Sequence, residues 1–338
     1  MSETITAVAP GRVNIIGDHT DYTGGLVLPM AIHLATTITG TSGGTTVCLT
    51  SADETEPAVV PIEVSDPTVC EPMWARYVAG VVKALVPSVG FTGTVTTTVP
   101  IGAGLSSSAA FEVALALALG AVGTSLELAQ LCQRAENEAT GVPTGIMDQL
   151  ASAAGVEGSA LLIDCHELTV QPVTLPAELD IVVVHSGQAR TLAASAYTER
   201  VLQLREAEAI VGPLRLVTSV DQLVPISDPV VLRRARHVVT ENQRVRDFVD
   251  ALRMLSGTEL HARISMLMAD GQRSLREDFE NSTPVVDACI ERLLAIPGVI
   301  AARMTGGGWG GCVVALAYPG ALTEGWLVRP SAGAHLNA

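Results

Sequence analysis

One stretch restricts this chain more than any other: Ala9-Pro-Gly-Arg-Val-Asn-Ile-Ile-Gly-Asp-His-Thr-Asp-Tyr-Thr-Gly-Gly25. Arg12, Asn14, Asp18, His19, Asp21 and Tyr22 crowd into a span broken by Gly11, Gly17, Gly24 and Gly25. Glycines placed this way mark backbone that bends sharply or lies close to another group. Val13, Ile15 and Ile16 supply a short strand on which the polar residues are mounted. Carboxylates, an imidazole and an amide together can pair with the hydroxyls of a polyol through matched donors and acceptors. A polar turn between two strands is the ordinary alternative for an isolated stretch of this kind.

The rest of the chain narrows the chemistry. Its 338 residues suffice for two domains with cores of their own. Aromatic residues are only 3%, so alanine, valine and leucine must fill those cores. A net charge of −15 argues against nucleic acid as a partner, because phosphate backbones call for a basic surface. No apolar run reaches the roughly 18 residues of a membrane span, and the N-terminus lacks a basic segment followed by an apolar core. Cys48, Cys70, Cys132, Cys165, Cys289 and Cys312 are scattered without a Cys-x-x-Cys. Reduced thiols in a cytoplasmic protein, free of membrane anchoring, are therefore expected. Lys83 is the only lysine and no Gly-Lys-Ser/Thr occurs, which excludes a P-loop nucleotidase.

Residues 91–99 alternate as a strand does and run into Pro100-Ile-Gly-Ala-Gly-Leu-Ser-Ser-Ser-Ala-Ala110, followed by a buried helix over 109–122. Strand, glycine loop, serine cluster and helix start make an anion site. The first helical N–H groups lack partners, and the helix dipole adds partial positive charge there. The serine hydroxyls can cap those amides or ligate a metal. With no lysine at hand, backbone amides and a cation such as Mg2+ must neutralise any phosphate. Asp148 sits between Met147 and Gln149 in an apolar segment, where acids are rare unless paired or used. A capping or salt-bridged aspartate is the alternative there. Helices are also expected over 74–85, 125–140, 193–208, 259–275 and 284–294. Taken alone, Trp74 on the first of these is a core residue and Glu136 on the second a solvated one. Finally, Gly306-Gly-Gly-Trp-Gly-Gly311 joins two apolar strands, a hairpin whose glycine-rich loop lies against a ligand.

Taken together these motifs resemble a known family. Gly11 through Tyr22 match without a gap the Gly-Arg-x-Asn-x-Ile-Gly-Glu/Asp-His-x-Asp-Tyr signature of the galactokinase branch of the GHMP small-molecule kinases. The serine-rich loop resembles the second GHMP motif, and the 306–311 loop the third, with Trp309 where phenylalanine is usual. Gly145-Ile-Met-Asp-Gln149 reproduces the segment around the family's catalytic aspartate. The resemblance runs from Ala9 to about Ala334. It implies an α/β (α+β) fold of two domains, 1–175 with the sugar signature and phosphate loop and 176–338 with a ferredoxin-like α+β layout, the active site lying in the cleft between them. It also implies ATP-dependent phosphorylation of the anomeric hydroxyl of galactose, with Mg2+.

By the same resemblance, Asp148 is the base and Arg12 the catalytic arginine. Asp18 and His19 face the 6-hydroxyl end of the sugar, Asp21 and Tyr197 the 3- and 4-hydroxyls, and Gly145 lines the site. Gly102, Gly104, Leu105, Ser106, Ser107 and Ser108 form the triphosphate loop, Trp74 lies beside the adenine, and Ser107 and Glu136 hold Mg2+. Several departures bear on the substrate. Asp18 stands where many galactokinases have glutamate. Asp270-Gly-Gln-Arg-Ser-Leu275 replaces Ser-His-x-Ser-Leu, Ser186-Gly-Gln-Ala-Arg190 fits its family pattern poorly, and the chain is shortened after Tyr318. A related sugar or uronic-acid 1-kinase is thus the main rival, although a C6 carboxylate would demand a cation near Asp18 and none adjoins it in sequence. A non-catalytic sugar sensor is a further rival, weakened by the whole Ser106–Ala110 run. The sequence leaves the oligomeric state open and is compatible with a monomer. The Arg236-His-Val-Val-Thr-Glu-Asn242 string resembles galactokinases closely but receives no chemical role.

Overall fold

The computed structural model describes residues 3–189 and 193–337. Arg190, at the end of the divergent Ser186–Arg190 segment, lies outside them, as do the first two residues and the last.

The chain opens with β1 (Thr4–Asn14), then β2 (Leu26–Val27), β3 (Pro29–Ser42), β4 (Thr46–Ser51) and β5 (Ala58–Pro61). Helix α1 (Ala75–Leu85) and strand β6 (Phe91–Thr97) lead to α2 (Ser107–Ala118), α3 (Ser125–Thr140) and α4 (Met147–Ala154). Next come β7 (Ser159–Asp164), β8 (Thr169–Thr174), β9 (Asp180–His185) and α5 (Ala193–Val211). The remainder is α6 (Pro229–Met254), α7 (Gly257–Ser274), α8 (Pro284–Leu294), β10 (Val299–Thr305), β11 (Cys312–Ala317), β12 (Trp326–Val328) and β13 (His335–Asn337). The pattern-based helices fall where expected, within a few residues at their ends. Strand β8, alternating but polar, went unread.

Local chemistry explains the helix starts. Thr124 and Glu127 form a reciprocal capping box on α3, and Gly141 ends that helix at φ 71°. Asp228 accepts from the amides of Val230 and Val231, and Pro229 takes the first turn of α6, where no N–H is needed. Among the described residues no helix is long and apolar enough to cross a membrane.

The strands form a six-stranded sheet ordered β13-β1-β3-β6-β4-β5, a four-stranded sheet β10-β11-β9-β12 and a three-stranded sheet β2-β7-β8. Helices α1 to α4 cover one face of the large sheet around Val78, Val81, Phe91, Leu115 and Leu150. A second core joins the two halves of the chain: Ile15, Ile16, Leu28 and Met30 pack with Phe248, Ile264, Leu267 and Val314. The C-terminus returns as well, for β13 pairs with Thr6–Val8 of β1 and Pro330 bridges Ile32. The division at residue 175 therefore remains a proposal about domains whose cores are shared.

Between β1 and β3 the register shifts between Pro10 and Arg12. Such a bulge bends a strand and re-aims its side chains. Gly11 lies at this shift, and a Cβ there would stand 2.6 Å from the carbonyl oxygen of Leu105. The sugar-signature strand and the phosphate loop can touch only because Gly11 lacks one.

Gly40 and Gly93 face each other across β3 and β6, with the Phe91 ring lying over both. A Cβ on Gly40 would meet the Thr92 carbonyl oxygen at 2.2 Å and the Phe91 ring at 2.7 Å. We expect Gly40→Ala to cost about 2 kcal/mol through forced displacement of strand and ring. A denaturant midpoint unchanged from wild type would refute this.

Candidate active site

Turned inward by the bulge, Arg12 is 5% exposed. Its Nε donates to Asp148 Oδ1 at 2.7 Å and its Nη2 to Oδ2 at 2.6 Å, a fork on a carboxylate. Its Nη1 donates to the carbonyl of Gly104 at 2.7 Å, tying the phosphate loop to the same cation. Asp148 lies in the first turn of α4, where the helix dipole favours negative charge. The hydroxyl of Ser106 donates to its Oδ2. With 30% of its side chain still accessible, Asp148 remains open to a ligand in the cleft.

The commitment of Ser106 to Asp148 has a second effect. Ser106 is the N-cap of α2, held in left-handed backbone at φ 56°, yet it makes no side-chain cap hydrogen bond. The first amides of α2 thus stay available to an anion instead of being closed by a serine. Gly102 and Gly104 take φ of 76° and 75°, which a side chain would strain. Leu105 enters only through its backbone: its carbonyl accepts from Arg12 N at 3.0 Å, while its side chain is buried in the second core.

Beside this loop lies a cavity of about 230 Å³ lined by Trp74, Tyr77, Phe111, Ser107 and Ser108 among others. The Trp74 indole donates to the Glu56 carbonyl at 3.0 Å and meets the Phe111 ring edge-on at 6.1 Å. Trp74 thus forms an aromatic wall of this cavity, beside the 102–108 loop. The hydroxyl of Ser108 donates to Glu136 Oε1 at 3.2 Å, and Ser107 lines the neighbouring cavity.

A divalent cation suits this corner. Glu136 Oε2 accepts from Thr144 Oγ1 at 3.1 Å and from Gln149 Nε2 at 2.9 Å. Gln149 Nε2 also donates to Glu112 at 3.2 Å, and Glu112 Oε1 is buried without a hydrogen-bond partner. Burial first, then mutual repulsion with Asp148 for Glu136 and with Glu136 for Glu112, raises the pKa of both carboxyls. Desolvated carboxyls and serine hydroxyls are hard oxygen donors, short of positive charge. No group of three or more acidic, histidine or cysteine side chains forms a metal cage among the described residues. That accords with an ion held by one or two carboxylates plus a substrate's phosphates.

The main cleft, about 460 Å³, is lined by Arg12, Asp18, His19, Asp21, Gly145, Asp148, Tyr197 and Gly306 among others. Every residue expected to bind sugar is therefore in one wall system. Asp21 starts a short 3-10 turn, and a Cβ on Gly145 would fall 1.8 Å from its Oδ2, so Gly145 is required for the close approach. Burial, and next the charge of Asp148, push the Asp21 carboxyl up to about 7. The Tyr197 ring meets Tyr22 edge-on at 5.2 Å and lies tilted against His19 at 5.7 Å. Burial and nearby Asp21 raise its phenol well above the usual range, keeping it a neutral donor and acceptor. His19, at φ 66°, engages Tyr22 Oη at 3.0 Å, the Gly307 carbonyl at 3.1 Å and Asn281 Nδ2 at 2.8 Å.

Asp18 holds a surprise for the sequence reading. Only 1% exposed, it accepts from Arg303 Nη2 at 2.9 Å through Oδ2 and from the amide of Gly306 at 2.9 Å through Oδ1. No cation adjoins Asp18 in sequence, yet β10 delivers one from 285 residues downstream. Arg303 is fully buried and also pairs with Glu241 at 2.9 Å. An arginine inside the apolar strand 299–305 was the available signal, since fully buried charges are rare unless paired.

Comparison with known proteins agrees with this geometry. The galactokinase galactose-binding signature matches residues 1–41, the GHMP kinases N terminal domain residues 76–156 and the GHMP kinases C terminal model residues 248–325. Galactokinase of Homo sapiens is 41% identical over 326 residues, spanning 91% of this chain and 82% of that protein. Galactokinase of Haemophilus influenzae (strain ATCC 51907) is 39% identical over 333 residues, 93% of this chain and 85% of that one. The crystal structure of Lactococcus lactis galactokinase complexed with galactose superposes with a TM-score of 0.90 at 28% identity, covering 98% of this chain and 95% of that one. The chain belongs to the GHMP kinases, in their galactokinase branch.

Proposed function

We infer that this protein is a galactokinase, transferring the γ-phosphoryl group of ATP to the anomeric hydroxyl of galactose to give galactose 1-phosphate and ADP. The observation that carries the reading is the Asp148 carboxylate gripped by Arg12 and Ser106, between the sugar-signature loop and the open amides of α2. Phosphoryl transfer needs alignment and charge neutralisation more than covalent help. Asp148 accepts the proton of the anomeric hydroxyl as that oxygen attacks phosphorus. Arg12 orients Asp148 and offsets charge building on the transferred group. The 102–108 loop and the α2 amides hold the triphosphate, and Trp74 flanks the adenine in the adjoining cavity.

Mg2+ bound with ATP supplies the phosphate neutralisation that a lysine provides elsewhere. Glu136 with the hydroxyls of Ser107 and Ser108 would hold it. Asp21 and Tyr197 take the 3- and 4-hydroxyls, while Asp18 and His19 close the 6-hydroxyl end. A uronic acid is disfavoured because Arg303, the cation at Asp18, is already shared by two carboxylates. The free thiols of all six cysteines support a reducing, cytoplasmic setting.

Removing the base tests the assignment directly. Asp148→Asn should lower kcat for ADP release on galactose by about a thousandfold, with calorimetric galactose affinity changed only a few-fold. Substantial turnover in this variant would remove Asp148 from its role. A second test uses pH. Burial and the charge of Asp148 push the Asp21 carboxyl up to about 7, so it is protonated below that value and a full acceptor for two hydroxyls above it. The profile of kcat/KM for galactose should therefore rise with pH up to about 7 and level off, and Asp21→Asn should flatten this limb at a low value. A wild-type profile flat from acid to neutral pH would contradict it.

A further inference from the structure

Helix α6 carries the Arg236–Asn242 string that has no place in the chemistry above. Three of its residues, His237, Glu241 and Asn242, bond to the sugar-signature segment. His237 Nε2 meets the Asp18 carbonyl at 3.1 Å, and Asn242 Oδ1 accepts from the amide of Leu26 at 2.8 Å. Glu241 lies between them. Its Oε1 accepts from the amide of Gly17 at 2.9 Å and from Arg303 Nη2 at 2.9 Å, and its Oε2 from Arg244 Nε at 2.6 Å. We propose that Glu241 and Arg303 are positioning residues that aim Asp18, and through it set recognition at the C6 end of the sugar. The proposal rests on the galactokinase reading and adds a specificity device to it.

Several facts carry it. Arg303 Nη2 serves Asp18 and Glu241 at once, so neither carboxylate can shift without moving the cation of the other. All three groups are at most 1% exposed, which leaves no water to heal a broken link. Among the described residues Asp18 has no other charged hydrogen-bond partner; its second oxygen is held by the Gly306 amide, on the loop that follows β10. Arg303 has room because residue 271 is a glycine: a Cβ there would stand 2.7 Å from its Nη1. This glycine falls in the 270–275 segment that departs from the family pattern. Asp18, one methylene shorter than glutamate, reaches Arg303 and Gly306 and still lines the cleft. Held on both oxygens, it can accept a substrate hydroxyl only from a narrow range of angles. Arg244 anchors the far end of the chain of charges at the α6–α7 surface.

Steady-state kinetics of the full-length protein with MgATP, on galactose and on 6-deoxygalactose, tests the relay. Glu241→Gln keeps the shape and the acceptor for Gly17 but removes the charge that anchors Arg303. The galactose KM should rise about tenfold, with the MgATP KM changed less than about twofold. On 6-deoxygalactose, which lacks the hydroxyl in question, the same variant should lose less than about twofold. Adding Glu241→Gln to Asp18→Asn should raise the galactose KM no further than Asp18→Asn does alone. If thermal melts show that Glu241→Gln misfolds, Arg244→Gln, which touches Glu241 but not the sugar loop, should give the same pattern in weaker form. Equal losses on both sugars, no loss on either, or additive effects with Asp18→Asn would overturn the relay while leaving the kinase intact. A wild-type protein silent on galactose would instead overturn the underlying reading, and the relay with it.

Discussion

The fork between Arg12 and Asp148 is the contact on which the remaining arrangement depends. It joins a strand near the N-terminus to the first turn of a helix 136 residues later, and Arg12 also holds the Gly104 carbonyl of the phosphate loop. Three segments distant in sequence are thereby registered against one guanidinium. Its geometry has a cause in the chain: the bulge at Gly11 turns Arg12 inward, and the missing Cβ lets the Leu105 carbonyl approach. Ser106 completes the junction by bonding Asp148 instead of capping its own helix, which keeps the α2 amides open.

Charge in the cleft is unevenly shared. Asp21, Glu112, Glu136 and Asp148 stand close together, and among the described residues Arg12 pairs with Asp148. Burying so many carboxyls raises the pKa of several and leaves Glu112 with an oxygen that bonds nothing. Such a site is poorly stabilised when empty and is improved by a ligand that brings positive charge, which matches a metal-bound nucleotide. A stability cost at a ligand site of this kind is ordinary where function dictates the residues.

On the other side of the sugar loop the charges are balanced. Asp18, Arg303 and Glu241 interlock without solvent, and Arg244 compensates the outer carboxylate. The Arg303 and Arg244 cations hold Glu241 ionised against the burial that would raise its pKa. Buried ion networks of this type add little net stability compared with apolar packing but are costly to break singly. Here the network lies where the N-terminal signature, α6 and the glycine hairpin meet, next to a shared apolar core. It fixes how those pieces sit relative to one another.

The sequence by itself determined the class of fold, most elements and most of the cleft residues. Periodicity located α1 and α3, and the ungapped signatures named Arg12, Asp21, Gly145 and Asp148, because each of those features is local: a repeat spacing, a capping residue, a motif of adjacent positions. The return of β13 to β1, the strand β8, the contact of Ser108 with Glu136, and Arg303 beneath Asp18 were decided only in three dimensions. Strand pairing and buried ion pairs depend on which segments share a boundary after folding, and a pair 285 residues apart leaves no spacing to read. A helix turns about 100° per residue, so which serine of three faces a carboxylate is set by packing and not by the motif.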